Sequence, residues 1–243
     1  MRHKERRFVM KRFSVKHDLS AMKVGEDALL LGAWASVPSD ESEGRERRVL
    51  DVGCGCGVIS LMLAQRSAPG VKVEAVDVDV FAVIEAKENF AASAWGGRLH
   101  ASRCDFAAVE GKFSHIVSNP PYFSSGVRDR ESAREVARQA DALSPATLVS
   151  HGASLLEEGG YLSLICPPEW LGELERRAGA EGMRLSRYCE VRTHESSPVK
   201  RLLLEYRKSE EAWAAEVSEL VTHTPGGGYT QAYRALTSDF HIR

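Results

Sequence analysis

From about residue 47 onward, short apolar runs alternate with longer mixed stretches: VLDVG, ISLMLAQR, VKVEAVD, VFAVIEAKENFAASA, LHASRCD, FSHIVSNPP, ATLVSHGASLLEE, YLSLICPP and EWLGELERRAGAEG. Strand-like and helix-like patterns in turn predict an α/β domain built on a largely parallel sheet. After Asp79, the residues Val80, Val83, Ile84 and Lys87 recur at one-face helical spacing, which predicts a helix lying over the sheet. Residues 184–195 and 201–208 follow each other with no helix between them, which predicts an antiparallel edge. Ahead of the domain, FSVKHDLSAMKVGEDALLLGAWA reads as a short extended piece, a turn at Gly25 and an amphipathic helix to about Ser36, followed by the polar linker VPSDESEGRERR. Near the end, YTQAYRALTSDF predicts a helix with Tyr229, Tyr233 and Leu236 on one side. The expectation is one structural domain: an N-terminal basic arm and helix over residues 1–46, and an α/β domain over 47–243.

Length and composition agree. The chain has 243 residues, 43% of them hydrophobic and 27% charged, enough to bury a full core. The longest apolar runs, such as residues 28–37, fall far short of the roughly 20 residues a membrane span requires, so a cytoplasmic protein without membrane contact is expected. Cys54, Cys56, Cys104, Cys166 and Cys189 are odd in number and sit mostly within apolar runs, so they read as buried thiols, and no metal site is expected. The net charge of −2 conceals an asymmetry, because MRHKERRFVMKR holds six Lys and Arg against one acid. A basic arm on an acidic body suits a protein that grips phosphates at one place.

The first candidate chemistry is DVGCGCG, residues 51–57, set between an apolar strand and an apolar helix, where open α/β sheets bind ligands. A dinucleotide fingerprint needs a glycine where this chain has Val58, and no Gly-Lys-Ser/Thr follows, so neither a pyrophosphate cradle nor a P-loop fits. Asp51 followed by Gly53, Gly55 and Gly57 resembles the class I S-adenosylmethionine-dependent methyltransferases. That resemblance implies a seven-stranded, mostly parallel Rossmann-like sheet with S-adenosylmethionine as cofactor. It further implies Asp51 toward the methionine ammonium group, Asp77 at the end of the second strand on the ribose hydroxyls, and Asp105 at the end of the third on the adenine amino group.

The second is SNPPYF, residues 118–123, after the fourth strand. An amide or ring amino nitrogen is a poor nucleophile because its lone pair is delocalised. The Asn119 side-chain oxygen and the Pro120 carbonyl can both accept from one NH₂ group, and two prolines fix the corner before substrate arrives. Tyr122 then offers a face to a planar base, with Pro121 and Phe123 beside it.

The tetrapeptide is similar to that of amino-methyltransferases, whose substrates include adenine, guanine and the glutamine of release factors. With FSVKHDLSAMKVGEDALLLGAWA and the terminal GGGYTQAYRALTSDF, the chain resembles the YfiC-type family over nearly its whole length. That resemblance implies N6 methylation of adenosine 37 in a valine tRNA; a monomer is expected. It also implies that residues 17–34 cover the cofactor, with His17, Met22, Lys23 and Gly25 near its methionine end. The family pattern carries a threonine after this glycine; here stands Glu26, leaving Asp27 as the polar neighbour. Arg6 and Arg7 in the arm, and Arg128 and Arg130 after the clamp, are candidate phosphate contacts. Arg130, Arg134 and Arg138 repeat every four residues and also fit a solvated, salt-bridged helix face. Glutamine methylation of a release factor, another RNA or DNA amino-methyltransferase, and a non-catalytic RNA-binding module stand as alternatives.

Overall fold

The computed structural model describes residues 7–20, 23–38, 47–121, 143–209, 211 and 213–240. An eight-stranded sheet is assembled from β3 (Arg48–Val52), β4 (Lys72–Asp77), β5 (Leu99–Arg103), β6 (Phe113–Ser118), β7 (Leu156–Cys166), β8 (Met183–Arg192), β9 (Arg201–Lys208) and β10 (Glu216–Val221). Their order is β10-β8-β9-β7-β6-β3-β4-β5, and a separate hairpin pairs β1 (Arg7–Val9) with β2 (Ser14–Lys16). Only β9 runs antiparallel within the large sheet, to both β7 and β8.

Helices cover both faces, which is why β3 and β6 are buried along nearly their whole length. One core lies under α1 (Glu26–Trp34), α2 (Val58–Arg66) and α3 (Val80–Ala91). The other lies under α4 (Pro145–Leu155) and α5 (Leu171–Ala180). A short α6 (Gln231–Leu236) closes the first face, with Tyr233 buried and Leu236 packed against that core. Among the described residues no helix is long and apolar enough to cross a membrane.

The chain runs from β3 to β4 and β5 on one side and then returns to place β6 on the other. This reversal opens a crevice at the carboxyl ends of the strands, the place where such sheets bind ligands.

The fold class is the one expected, and the structure adjusts details. The antiparallel strand β9 lies inside the sheet, between β7 and β8, and the sheet gains an eighth strand, β10, which pairs in parallel with β8 at the edge. The helix after Asp79 is rotated from its expected face: Val83 is buried, whereas Val80 and Ile84 are 41% and 43% exposed and Lys87 lies outside. Its buried face carries Ala82, Glu85, Ala86, Asn89 and Phe90, because two polar side chains there bind backbone groups that would otherwise be orphaned. Helix α1 is not amphipathic; residues 28–34 are all buried between the sheet, α2 and the chain's end. Strand β7 begins at Leu156, inside the stretch expected to continue as helix.

Candidate functional site

Three strand ends and one loop build the site. Strand β3 ends in the loop over residues 53–57, whose Gly53, Gly55 and Gly57 all have positive φ, at 70°, 53° and 80°. Two of these glycines do different work. A Cβ on Gly57 would lie 2.4 Å from the Phe90 ring, so the loop can sit on α3 only without a side chain there. A Cβ on Gly55 would meet nothing within 4 Å, so that position borders open space.

Asp77, at the end of β4, holds this loop. Its Oδ2 accepts the Gly55 N–H at 2.9 Å and its Oδ1 the Asp79 N–H at 2.9 Å. Burial raises its pKa against those stabilising bonds. Asp51 lies beneath the loop, fully buried, with Oδ2 accepting from the Ser60 N–H at 3.0 Å and the Ser60 hydroxyl at 2.5 Å. Its Oδ1 has no partner, and desolvation pushes its pKa up to about 7.

Asp105 accepts the Ala107 N–H at 3.0 Å and is exposed in the crevice, beside the buried ring of Phe106. On the other side, the Ser118 hydroxyl donates to the Val52 carbonyl at 2.9 Å, tying the end of β6 to the end of β3. Asn119 follows directly. Its Oδ1 is buried and has no hydrogen-bond partner.

The crevice has two lobes that share Gly53, Gly55 and Asn119. The first is bordered by Asp77, Asp79, Asp105, Phe106, Pro121 and Leu143, with Ser20 at its rim. The second is bordered by Lys23, Gly25, Glu26, Asp27, Ile59, Lys200 and Arg201. Asp27 and Arg201 are paired at 3.0 Å across it, and Glu26 Oε1 is buried without a partner.

Residues 16–20, with 23 and 24, are strapped across the rim. Glu85 Oε1 accepts the N–H groups of Asp18 and Leu19 at 2.6 and 2.9 Å, and its Oε2 that of Ser20 at 3.0 Å. Asn89 donates to the Lys16 and Cys56 carbonyls, both at 2.9 Å, so one side chain joins the strap to the glycine loop. His17 Nδ1 accepts the Val24 N–H at 3.2 Å, and Lys23 Nζ donates to the Asp18 and Ser20 carbonyls. His17 therefore orders the strap and lines neither lobe.

Of the residues expected at the site, the fold gathers Gly53, Gly55, Asp77, Asp105, Asn119, Pro121, Lys23 and Gly25 along one crevice. Pro120 is buried beside them. Asp51 and Gly57 support the loop from below and line neither lobe. Arg7 is on the β1–β2 hairpin and also lines neither. Tyr122, Phe123, Arg128, Arg130, Arg134, Arg138, Arg6 and Met22 lie outside the described residues.

Sequence reasoning missed Glu85, Asn89, Phe106, Lys200 and Arg201. For Glu85 and Asn89 a signal existed: two polar residues four apart, in phase with small apolar ones, on a face that must be buried.

An S-adenosyl cofactor fits this donor set. Backbone passes close under the first lobe without side chains, carboxylates stand at its wall, and two residues with an unpartnered buried oxygen, Asn119 and Glu26, line the junction and the second lobe.

Comparison with known proteins gives a consistent picture. The family model described as methyltransferase small domain matches residues 35–167. The chain is 39% identical over 240 residues to a protein of Actinobacillus succinogenes named tRNA1(Val) (adenine(37)-N6)-methyltransferase, covering 97% of each chain. A protein of the same name from Bacteroides thetaiotaomicron is 35% identical over 237 residues, again covering 97% of each. Among solved structures, a predicted O-methyltransferase from Agrobacterium tumefaciens superposes with a TM-score of 0.64 at 19% identity, over 88% of this chain and 96% of that one. The T. thermophilus 16S rRNA N2 G1207 methyltransferase, solved with AdoMet and guanosine, gives 0.53 at 25% identity, over 84% and 50%.

Proposed function

The chain belongs to the tRNA1(Val) (adenine(37)-N6)-methyltransferase family, within the methyltransferase small domain family, and from that membership we propose how its residues carry out the reaction. The protein is an S-adenosylmethionine-dependent enzyme that methylates the exocyclic N6 of adenosine 37 in tRNA, with a valine tRNA as the proposed substrate, acting in the cytoplasm as a monomer. Residues 1–46 serve as arm and cover, and residues 47–243 as the catalytic domain.

Bound S-adenosylmethionine supplies a methyl group activated by a positively charged sulfonium. Asp77 and Asp105, at the wall of the first lobe, accept from the ribose hydroxyls and the adenine amino group. The bare backbone at Gly53 and Gly55 permits close approach. In the second lobe, Glu26 and the backbone after Lys23 face the ammonium end, and Lys200 and Arg201 the carboxylate end. Asp51 acts from below, by holding Ser60 and the loop.

Asn119 Oδ1 is the single observation that carries the reading: a buried, unpartnered acceptor at the point common to both lobes. Leaving such an atom unsatisfied costs about 1–3 kcal/mol, a cost that an incoming N–H removes. With Asn119 and the Pro120 carbonyl each accepting one hydrogen of N6, the nitrogen's lone pair is directed out of the ring plane and toward the methyl donor. Tyr122 stacks on the extruded base, Pro121 and Phe123 border it, and Arg6, Arg7, Arg128 and Arg130 hold flanking phosphates. Extrusion costs a few kcal/mol in a stack and less in a loop, which suits an anticodon-loop adenosine. Orientation of this kind can supply up to about 7–11 kcal/mol of the barrier reduction, and the proton that N6 loses on methylation is acidic enough to pass to solvent, so no strong general base is required.

The test is mass spectrometry of nucleosides from unmodified tRNA transcripts incubated with the protein and methyl-labelled cofactor. Labelled N6-methyladenosine at position 37 of a valine transcript is expected. Label entering release-factor glutamine instead would overturn the choice of substrate.

A further inference from the structure

The edge that carries Asn119 continues into a row of rings. Strand β7 is parallel to β6, β9 is antiparallel to β7 and β8 to β9, so β8 and its parallel neighbour β10 point the same way as β6. The residues that follow β8 and β10 therefore emerge on the same edge of the sheet as the site. The two ends are tied together, with the Thr222 N–H donating to the Arg192 carbonyl at 2.9 Å and the His223 N–H to the Thr193 carbonyl at 2.8 Å. A tight turn closed by the Thr224 N–H on the Gly228 carbonyl at 2.7 Å then returns the chain, so that Tyr229 forms a β-bridge with His223.

Four rings line up as a result. His194 and His223 have centroids 6.2 Å apart, His223 and Tyr229 4.9 Å, and Tyr229 and Tyr233 4.2 Å with planes 14° apart. Tyr233 is buried and anchors the row, whereas Tyr229 is 41% exposed. Arg234 is exposed beside it, near Gly228, and makes no ion pair with a carboxylate among the described residues; Lys200, which lines the second lobe, donates its backbone N–H to the Val191 carbonyl at 2.8 Å, three residues before His194, which sets the His194 end of the row toward the site.

We propose that Tyr229, with His223 and His194, is a stacking platform for unpaired RNA bases next to the methylated adenosine, and that Arg234 takes a neighbouring phosphate. This rests on the tRNA-methyltransferase reading and extends it to residues outside the two lobes. Every base has a π face, and single-stranded RNA is held by aromatic stacking beside a basic track. The β-bridge and the Tyr233 contact fix the Tyr229 ring in advance, so little side-chain freedom is lost on binding. From β6, strands β8 and β10 are three and four places away, about 14–19 Å at the usual strand spacing, within reach of a short run of nucleotides from the extruded base.

The test uses the full-length protein, a fluorescent anticodon stem-loop of a valine tRNA, and the variants Tyr229→Leu and Tyr229→Phe. Leucine retains apolar cover on Tyr233 without a ring. It is expected to weaken stem-loop binding about 5- to 150-fold, the range of one lost base stack, while phenylalanine binds within about twofold of the parent. Stem-loops carrying one abasic site at each loop position should reveal one position at which the parent and the leucine variant bind equally. Arg234→Ala should flatten the log–log salt slope by roughly 0.7–0.9. As a readout independent of any variant's folding, 4-thiouridine placed through the loop should crosslink to residues 223–229 of the parent.

A leucine variant with unaltered binding, or a parent that crosslinks there from no loop position while still methylating the tRNA, overturns the platform alone. A parent that neither binds the stem-loop nor methylates the tRNA overturns the functional reading and the platform with it.

Discussion

Glu85 Oε2 accepts the backbone N–H of Ser20 at 3.0 Å, joining residues 65 apart in sequence, and this bond with its two neighbours holds the strap over the first lobe. Burial alone would raise the Glu85 carboxyl, but the N–H groups of Leu19, Ser20 and Asp18 outweigh it and hold the pKa below its ordinary value. The carboxylate's contribution is therefore in force above the unfolded value of 4.5 and fades as pH falls through the lower folded one. Glu85→Gln puts an amide N–H₂ against backbone donors, at about 1.5–3 kcal/mol for lost charged hydrogen bonds. Calorimetry with S-adenosylhomocysteine should show affinity falling about 10- to 100-fold, and an unchanged Kd would show that the strap is not needed for binding.

Asn119→Ala removes the acceptor at the junction of the lobes. By analogy with a lost oxyanion donor, kcat should fall at least about 100-fold while cofactor affinity stays nearly constant. Single-turnover methylation of the tRNA beside a cofactor titration separates the two quantities, and retained turnover would sink the proposed clamp.

Asp51 is held neutral by burial to a pKa of about 7, against an unfolded value of 3.8. A raised carboxyl costs stability as pH climbs between those values, because the folded state must give up a proton it prefers to keep. Asp51→Asn can still accept from Ser60. It should match the parent near pH 4 and become more stable with rising pH, by about 1–4 kcal/mol above pH 7. Thermal melts across pH 4 to 8 check this; a stability difference that does not vary with pH would contradict it.

Gly57→Ala and Gly55→Ala should separate packing from ligand approach. At Gly57 the new methyl meets Phe90, so urea denaturation should show a loss of about 1–3 kcal/mol or more. At Gly55 the methyl points into open space in the crevice, so stability falls only by the backbone strain, while cofactor affinity drops more steeply. Equal effects of the two changes on cofactor affinity would remove the distinction.

The alternation of apolar runs determined the α/β class by itself, since parallel strands covered on both faces must be apolar along their length and helices must supply the cover. Residues adjacent in sequence also announced their chemistry: the glycine loop after β3, the acids ending β4 and β5, and the Asn-Pro-Pro corner after β6 each follow a strand, and strand ends on one edge must meet. Tertiary structure alone decided what faces them. Glu85 and Asn89 turned α3 away from the face its apolar spacing indicated, because satisfying six backbone groups outweighs burying Val80 and Ile84. Strand order brings Phe106 to the first lobe and Lys200 to the second, and with the returning turn at Thr224 it assembles the ring row from His194 to Tyr233. No local pattern encodes that order; it follows from the pairing of β8 and β10 at the sheet's edge.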